Sequence, residues 1–367
     1  MSPLVHTIVL TEKFKSGSLE VAPGTYLVED IAGAQLMVAC DGGEMTKLHP
    51  EQVAVRHKFE HTGDWNECSV LILRAGGFGD LTLMTPVLRE LRRRWPRIKI
   101  GFACFPHYRP VLEHTGLVDE FVEYPIPVKV ADQYAAWVFM ENIIEKNEDA
   151  KKWHMTDLFG TKFGFGVKEE YDRHPVYVVT DTEKVWVSEA YPRKKGVQRL
   201  AVQFKAQAMN RTYPIQRTKQ VIEHFYDKGW EIMLLGDPGS LDLQSMDRLH
   251  NCAANRHTFR QSAAIISTAD CVLAPDSALL HVAGALDIPA VGLFGPFPPE
   301  LRVAYSPSVQ AIDGKGHCAP CFHHVRRNMQ FPAHGPCAGK GYCTVLDAIP
   351  VKKVIDRIAL TAKKLFD

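Results

Sequence analysis

Two rhythms of apolar residues divide the chain. Over residues 1 to about 65, apolar and polar positions alternate in short runs: HTIVLTE, SLEVAP, GTYLVEDI, AQLMVAC and QVAVRHKFE. Gly17, Gly24, Gly33 and the Gly42-Gly43 pair punctuate them. A period of two, broken by turn residues at this spacing, predicts a small β-barrel or sandwich. No chemistry-bearing motif lies in this piece, so packing, oligomerisation and partner binding all stay open as its role.

The rhythm changes at Ser69. Val70–Leu73 is a continuous apolar run, as expected of a strand buried on both faces. A glycine-rich turn, Gly76-Gly77-Phe78-Gly79, follows. Leu81, Met84, Leu88, Leu91 and Trp95 then recur at helical spacing, and Ile98–Cys104 reads as the next strand. This is a βαβ unit, the mark of a parallel sheet with helices on its faces. Pro86 sits inside the helix and either kinks it or resets its first turn. Arg89, Arg92, Arg93 and Arg94 read as a solvated helix face.

A second sheet of the same kind starts near Leu200. LAVQF, EIMLLG, Cys271–Ala274 and Ala290–Phe294 read as its strands. Helices are expected over Gln216–Lys228, Phe259–Ala269, Ser277–Leu286 and, as a terminal amphipathic helix, Pro350–Phe366. The aromatic-rich stretch from about 125 to 195 completes the first α/β domain and lines one wall of a cleft. The expected fold class is α/β: two Rossmann-like domains facing across a cleft, plus a small N-terminal β-rich domain. The expected bounds are 1–65, 66–195, 196–349 and a terminal helix over 350–367. Such pairs of domains hold ligands beyond the carboxyl ends of their strands.

Length and charge narrow the function classes. A chain of 367 residues, 46% hydrophobic, buries a large core. Its 43 lysines and arginines nearly balance 42 aspartates and glutamates, which argues against a general nucleic-acid or membrane-surface binder. No apolar stretch reaches the roughly 18 residues that span a bilayer. The opening MSPLVHTIVLTEKFKSG has neither the long apolar run nor the cleavage site of a signal peptide, so a cytoplasmic protein is expected.

Four stretches carry candidate chemistry. In Gly76-Gly77-Phe78-Gly79-Asp80 the glycines let backbone approach a ligand closely. Asp80 is either a stabilising first-turn carboxylate or a general base at a strand's carboxyl end. In Asp276-Ser277-Ala278-Leu279-Leu280-His281, Asp276 or Ser277 suits a helix cap. The same helix start suits a diphosphate, with Asp276 on a sugar hydroxyl and the amides of 277–280 on phosphate. His281 by itself reads as an ordinary helix residue. Between Gln203 and Pro214, Lys205 and Arg211 place cations after a strand, where they either neutralise a leaving diphosphate or decorate a solvated loop.

The fourth stretch holds Cys318-Ala-Pro-Cys321, Cys337 and Cys343, four of the nine cysteines. A C-x₂-C pair followed by two more cysteines fits one structural metal ion, with Zn²⁺ and iron equally suited to thiolates. Four reduced thiols are the plain alternative. His317, His323, His324 and His334 lie close enough in sequence to replace one sulfur. The remaining cysteines, Cys40, Cys68, Cys104, Cys252 and Cys271, read as buried free thiols.

Together these stretches resemble the bacterial heptosyltransferase family, over residues 69 to 365. LILRAGGFGDLTLMTPVLRELRRRWP is similar to that family's N-terminal strand–turn–helix, which implicates Asp80 as catalytic base and residues 76–79 as the acceptor-side loop. LAPDSALLHVAGALDIPAVGLFGP is similar to its donor-binding Asp-(Ser/Thr)-Gly-x-x-His segment, with Ala278 where glycine is usual. Arg211-Thr212-Tyr213-Pro214 stands where the family has Lys-x-Trp-Pro. The N-terminal β-rich piece and the four cysteines resemble members that glycosylate autotransporter proteins, which tilts the metal towards iron. The resemblance implies an inverting transfer of a sugar, heptose, from an ADP-sugar donor to a glycan or protein hydroxyl, without catalytic Mg²⁺. Among the roles left open for the N-terminal domain, oligomerisation would make the protein a homo-oligomer. The rival from another class is a non-catalytic, metal-stabilised α/β protein that binds nucleotide or nucleic acid.

Overall fold

The computed structural model describes residues 4–10, 14–16, 19–22, 24–28, 56–57, 65–141, 143–144, 147–203, 205–237, 243–323, 337–338 and 340–363. The expected strand AQLMVAC, Cys40, the glycines at 17, 33, 42 and 43, Phe204, His324 and His334 lie outside these residues.

The chain forms two compact units that interleave along the sequence. One comprises residues 1–77, 87–147 and 158–171; the other comprises 78–86, 148–157 and 172–367.

In the first unit, β1 (Leu4–Leu10) pairs antiparallel with β4 (Gly24–Val28) and β5 (Arg56–His57), while β2 (Phe14–Ser16) and β3 (Leu19–Val21) form a hairpin. Strands β6 (Ser69–Leu73), β7 (Lys99–Cys104), β8 (Glu120–Glu123) and β9 (Ala136–Phe139) make a parallel sheet in the order β8-β7-β6-β9. Leu27 of β4 is buried with Leu71, Leu73, Ala103 and Val122, so β4 contributes to the core of this sheet.

Helix α1 (Phe78–Arg94) follows β6 and runs unbroken through Pro86. A proline leaves the carbonyl four residues earlier without its helical donor. Here that carbonyl is Thr82 O, and the Thr85 hydroxyl donates to it at 2.7 Å. The Thr85 oxygen in turn accepts from Val176 N at 2.7 Å. The arginine run differs from the solvated face expected of it. Arg92 donates to the Ile98 carbonyl at 2.8 Å and Arg94 pairs with Glu90 at 2.7 Å while stacking on Phe165.

The second unit holds β10 (Arg199–Val202), β11 (Glu231–Leu234), β12 (Leu249–Asn251), β13 (Cys271–Pro275), β14 (Ala290–Phe294) and β15 (Val309–Asp313). All pair in parallel, in the order β12-β11-β10-β13-β14-β15. That is the doubly wound 3-2-1-4-5-6 arrangement, whose order reverses between β10 and β13. Every residue of β10, β11, β13 and β14 is buried, which is why these strands read as apolar runs.

The helices of this unit include part of α2 (Met155–Thr161), α3 (Asp181–Ala190), α4 (Ile215–Asp227), α5 (Phe259–Ile266), α6 (Ala278–Ala285), the one-turn α7 (Glu300–Val303) and α8 (Val351–Lys363). The α2 residues Leu158–Thr161 belong to the first unit. Helices α3 and α5 start with reciprocal capping boxes, Thr180 with Glu183 and Thr258 with Gln261. Helix α8 buries Val354, Ile358 and Ala362, the four-residue spacing expected of its amphipathic pattern.

Candidate functional site

The reversal between β10 and β13 fixes where a ligand crevice opens in the second unit. Gln203 follows β10, and Asp276-Ser277 follows β13. The two sides are joined directly, because the Ser277 hydroxyl donates to Gln203 Oε1 at 2.7 Å.

That bond answers the capping question. Ser277 occupies the N-cap of α6 in an extended conformation, but its side chain makes no cap hydrogen bond. The Asp276 side chain is also committed elsewhere. The first amides of a helix have no intrahelical acceptor, so the start of α6 keeps the donors and partial positive charge that suit an anion.

The Asp276 carboxylate is 3% exposed. Arg211 Nη1 lies 3.3 Å from Oδ2 and also donates to the Asp276 carbonyl at 2.8 Å. Arg302 Nε lies 3.7 Å from the same Oδ2, and His281 Nε2 lies 3.6 Å from Oδ1. Burial raises the Asp276 pKa, but the Arg211 charge, the His281 hydrogen bond and the Arg302 charge outweigh it. The group is held well below the usual carboxylate range. Arg211 Nε is buried and has no hydrogen-bond partner among the described residues. Lys205 lies half-buried beside the same strand end, and its carbonyl accepts from Gln203 Nε2 at 3.2 Å.

The start of α1 belongs to this unit and packs against α6. A methyl group on Gly79 would lie 3.0 Å from the His281 ring and 3.6 Å from Ala278 Cα. Phe78 stacks on Phe259 at 4.1 Å. Asp80, the next residue, is half-buried in the first turn of α1, where Gly77 holds the N-cap without a side-chain bond. The structure therefore brings the helix starts that carry Asp80 and His281 together, and Leu279 and Leu280 are buried beneath them.

The rest of the glycine turn is built in the first unit. Gly77 has φ 100°, which favours glycine. A methyl on Gly76 would fall 2.0 Å from the Tyr108 ring, so only glycine fits under that tyrosine. Arg74 fixes the turn by donating to the Gly76 carbonyl at 3.2 Å and the Met140 carbonyl at 2.8 Å.

Sequence reasoning missed Arg302, His154, Asp157, Arg173 and Tyr305. Asp157 accepts from Arg173 at 2.6 Å and from Tyr305 at 2.8 Å. His154 packs on Tyr305 at 4.3 Å, and burial is the main cause that pulls its pKa down to about 3, so it is neutral. A cation in the short helix after the strand next to β13, as in PPELRVAYS, was the one signal that could have found Arg302.

The cysteine stretch leaves β15 and is fastened near the site. Phe322 N donates to the Pro296 carbonyl at 2.9 Å, and buried Asn210, beside Arg211, donates to the His323 carbonyl at 2.6 Å. Cys318, Cys321, Cys337 and Cys343 are free thiols. Burial pushes the Cys321 thiol up, with Cys318 and Cys337 adding to it. Burial pushes Cys343 up to about 11, with Cys337 and Cys321 adding. Among the described residues no group of three or more ligating side chains is drawn together as a metal site.

The sequence pattern of glycosyltransferase family 9 (heptosyltransferase) matches residues 138–331, just over half of the chain. The chain belongs to this family. Lipopolysaccharide heptosyltransferase 1 of Pseudomonas aeruginosa is 28% identical over 114 residues, which are 30% of this chain and 32% of that protein. The match thus spans about a third of that curated relative. The family fold recurs in solved structures. E. coli ADP-heptose lps heptosyltransferase II superposes with a TM-score of 0.62 at 15% identity, covering 82% of this chain and 100% of that one. The iron-containing dodecameric glycosyltransferase TibC of enterotoxigenic E. coli H10407 gives 0.62 at 12% identity, covering 100% of this chain and 93% of that one. TibC has also been solved in complex with ADP-D-beta-D-heptose. Among the described residues, no helix of this family member is long and apolar enough to cross a membrane.

Proposed function

We propose that this chain is an inverting glycosyltransferase that moves heptose from an ADP-activated donor to an acceptor hydroxyl. One observation carries the reading: the uncapped start of α6 and the Arg211–Asp276 pair sit where the sheet order reverses, with Gly79, the neighbour of Asp80, packed against Ala278 and His281 of α6. The diphosphate rests on the amides of residues 277–280, with Arg211 and Lys205 supplying positive charge. Asp80 takes the proton of the acceptor hydroxyl. That oxygen attacks the anomeric carbon from the face opposite the diphosphate, the bond to the diphosphate breaks, and ADP leaves with the electron pair. The amides and Arg211 stabilise the charge that develops on it, so no Mg²⁺ is needed. Family membership supports the reaction class, and the TibC complex with ADP-heptose supports the donor.

The acceptor is a glycan or protein hydroxyl. Cys318, Cys321, Cys337 and Cys343 hold one iron or zinc ion in a purely structural role, supported by the spacing of the four cysteines and by the iron of TibC. A cytoplasmic setting, which keeps thiols reduced, suits that role. The N-terminal strands serve assembly into a homo-oligomer. The decisive test is calorimetric titration with ADP and then turnover of ADP-heptose. Micromolar binding with release of ADP in the presence of acceptor is expected, and a protein that binds no ADP overturns the reading.

A further inference from the structure

Arg302 meets the site at Asp276. It is 5% exposed, sits on the one-turn helix α7, and stacks on Phe297 at 4.4 Å. Its Nε faces Asp276 Oδ2, the same oxygen that faces Arg211 Nη1. Two guanidinium groups therefore share one carboxylate oxygen in a buried place, where charge interactions are strong. What Arg302 draws from that oxygen, Arg211 does not neutralise.

Resting on the donor reading above, we propose that Arg302 is a positioning residue for the nucleotide diphosphate. By sharing Asp276 Oδ2 it keeps Arg211 from being fully captured by that carboxylate, and so leaves Arg211 charge for the ligand. If Arg302 is removed, Asp276 and Arg211 close into a simple neutral pair. The diphosphate then loses a cation although no residue that touches it has changed.

Calorimetric titration of the full chain with ADP and with adenosine tests this. Arg302→Met keeps the unbranched stem against Phe297. It is expected to weaken ADP binding about tenfold, the scale on which members of one ion-pair network couple, and to leave adenosine binding unchanged. Arg302→Lys, which keeps the charge, should restore most of the loss. Adding Asp276→Asn to Arg302→Met should also restore ADP binding, because the carboxylate that captures Arg211 is gone. Adding Arg211→Ala to Arg302→Met should cost little beyond Arg211→Ala alone, because Arg302 acts through Arg211. Thermal melts of each variant record whether it is folded. Unchanged ADP affinity in Arg302→Met, equal losses for ADP and adenosine, or no rescue by Asp276→Asn overturns the proposal while the donor reading stands. Wild-type protein that binds no ADP overturns the donor reading first and this proposal with it.

Discussion

Asp80→Asn separates catalysis from capping by magnitude. Asparagine keeps the size of the side chain, so the packing of Gly79 against His281 and Ala278 is undisturbed. It cannot accept the acceptor's proton. Loss of a positioned general base costs about 10²-fold or more in rate, which is about 2.7 kcal/mol of barrier. A carboxylate that merely stabilises the first turn of α1 contributes about 0.3–1 kcal/mol to folding. For a domain of this size that lowers the melting temperature by at most about 4 °C. Donor affinity should hold, because the proposed diphosphate seat is on α6 rather than α1. The assay is release of ADP from ADP-heptose under saturating donor, with ADP binding and a thermal melt on the same preparation. A turnover loss of about 10²-fold with unchanged ADP affinity fits the base. Near wild-type turnover rules Asp80 out as base, and a large loss of folded protein would make its role structural.

Elemental analysis of the purified chain should give about one iron or zinc per chain, coloured if iron and colourless if zinc. Cys321→Ser should lose the metal and lower the melting temperature, since binding to the folded state is also folding energy. Metal-free wild type with four titratable thiols would remove the site, and a folded variant that no longer binds ADP would overturn its purely structural role. Glu231, 4% exposed, provides a check on acid stability. Burial raises its pKa, but hydrogen bonds from His250 and Arg199 dominate and bring it from 4.5 down to about 2. A depressed carboxylate stabilises the fold above pH 4.5 and loses that contribution as pH falls towards 2, on the order of 3 kcal/mol in all. Urea melts between those two values should show a flatter pH dependence in Glu231→Gln, which is also destabilised at neutral pH by the unpaired Arg199. Equal slopes in wild type and variant would refute the linkage.

The strands of the second sheet were legible because burial on both faces writes itself as a continuous apolar run. Cys271–Pro275 and Ala290–Phe294 fall within a residue of their sequence reading. Short strands with mixed composition were not, and Glu120–Glu123 and Leu249–Asn251 left no run to read. Helix α3 lay in the aromatic-rich stretch, where no helix was expected, although Thr180 and Glu183 carried the capping-box spacing that announces a helix. At the site, the helix start and its aspartate were visible in the local motif. The partners of Asp276 were not, because Arg211 and Arg302 come from the segments after two other strands and meet it only through the sheet order. The role of Thr85 was equally hidden, since only the folded helix shows which carbonyl Pro86 strands.

The hydrogen bond from Asn210 to the His323 carbonyl has a meaning for how such proteins are built and rebuilt. It fastens the turn of Arg211 to a backbone two residues beyond Cys321. The proposed nucleotide loop and the cysteine stretch, more than a hundred residues apart in the chain, are therefore one part for purposes of exchange. A chimera that imports the loop alone would receive it without its mooring. One that imports both would carry over a matched pair. The natural cassette for swapping donor preference between relatives runs from the end of β10 to the cysteines, not across the short motif that first draws the eye.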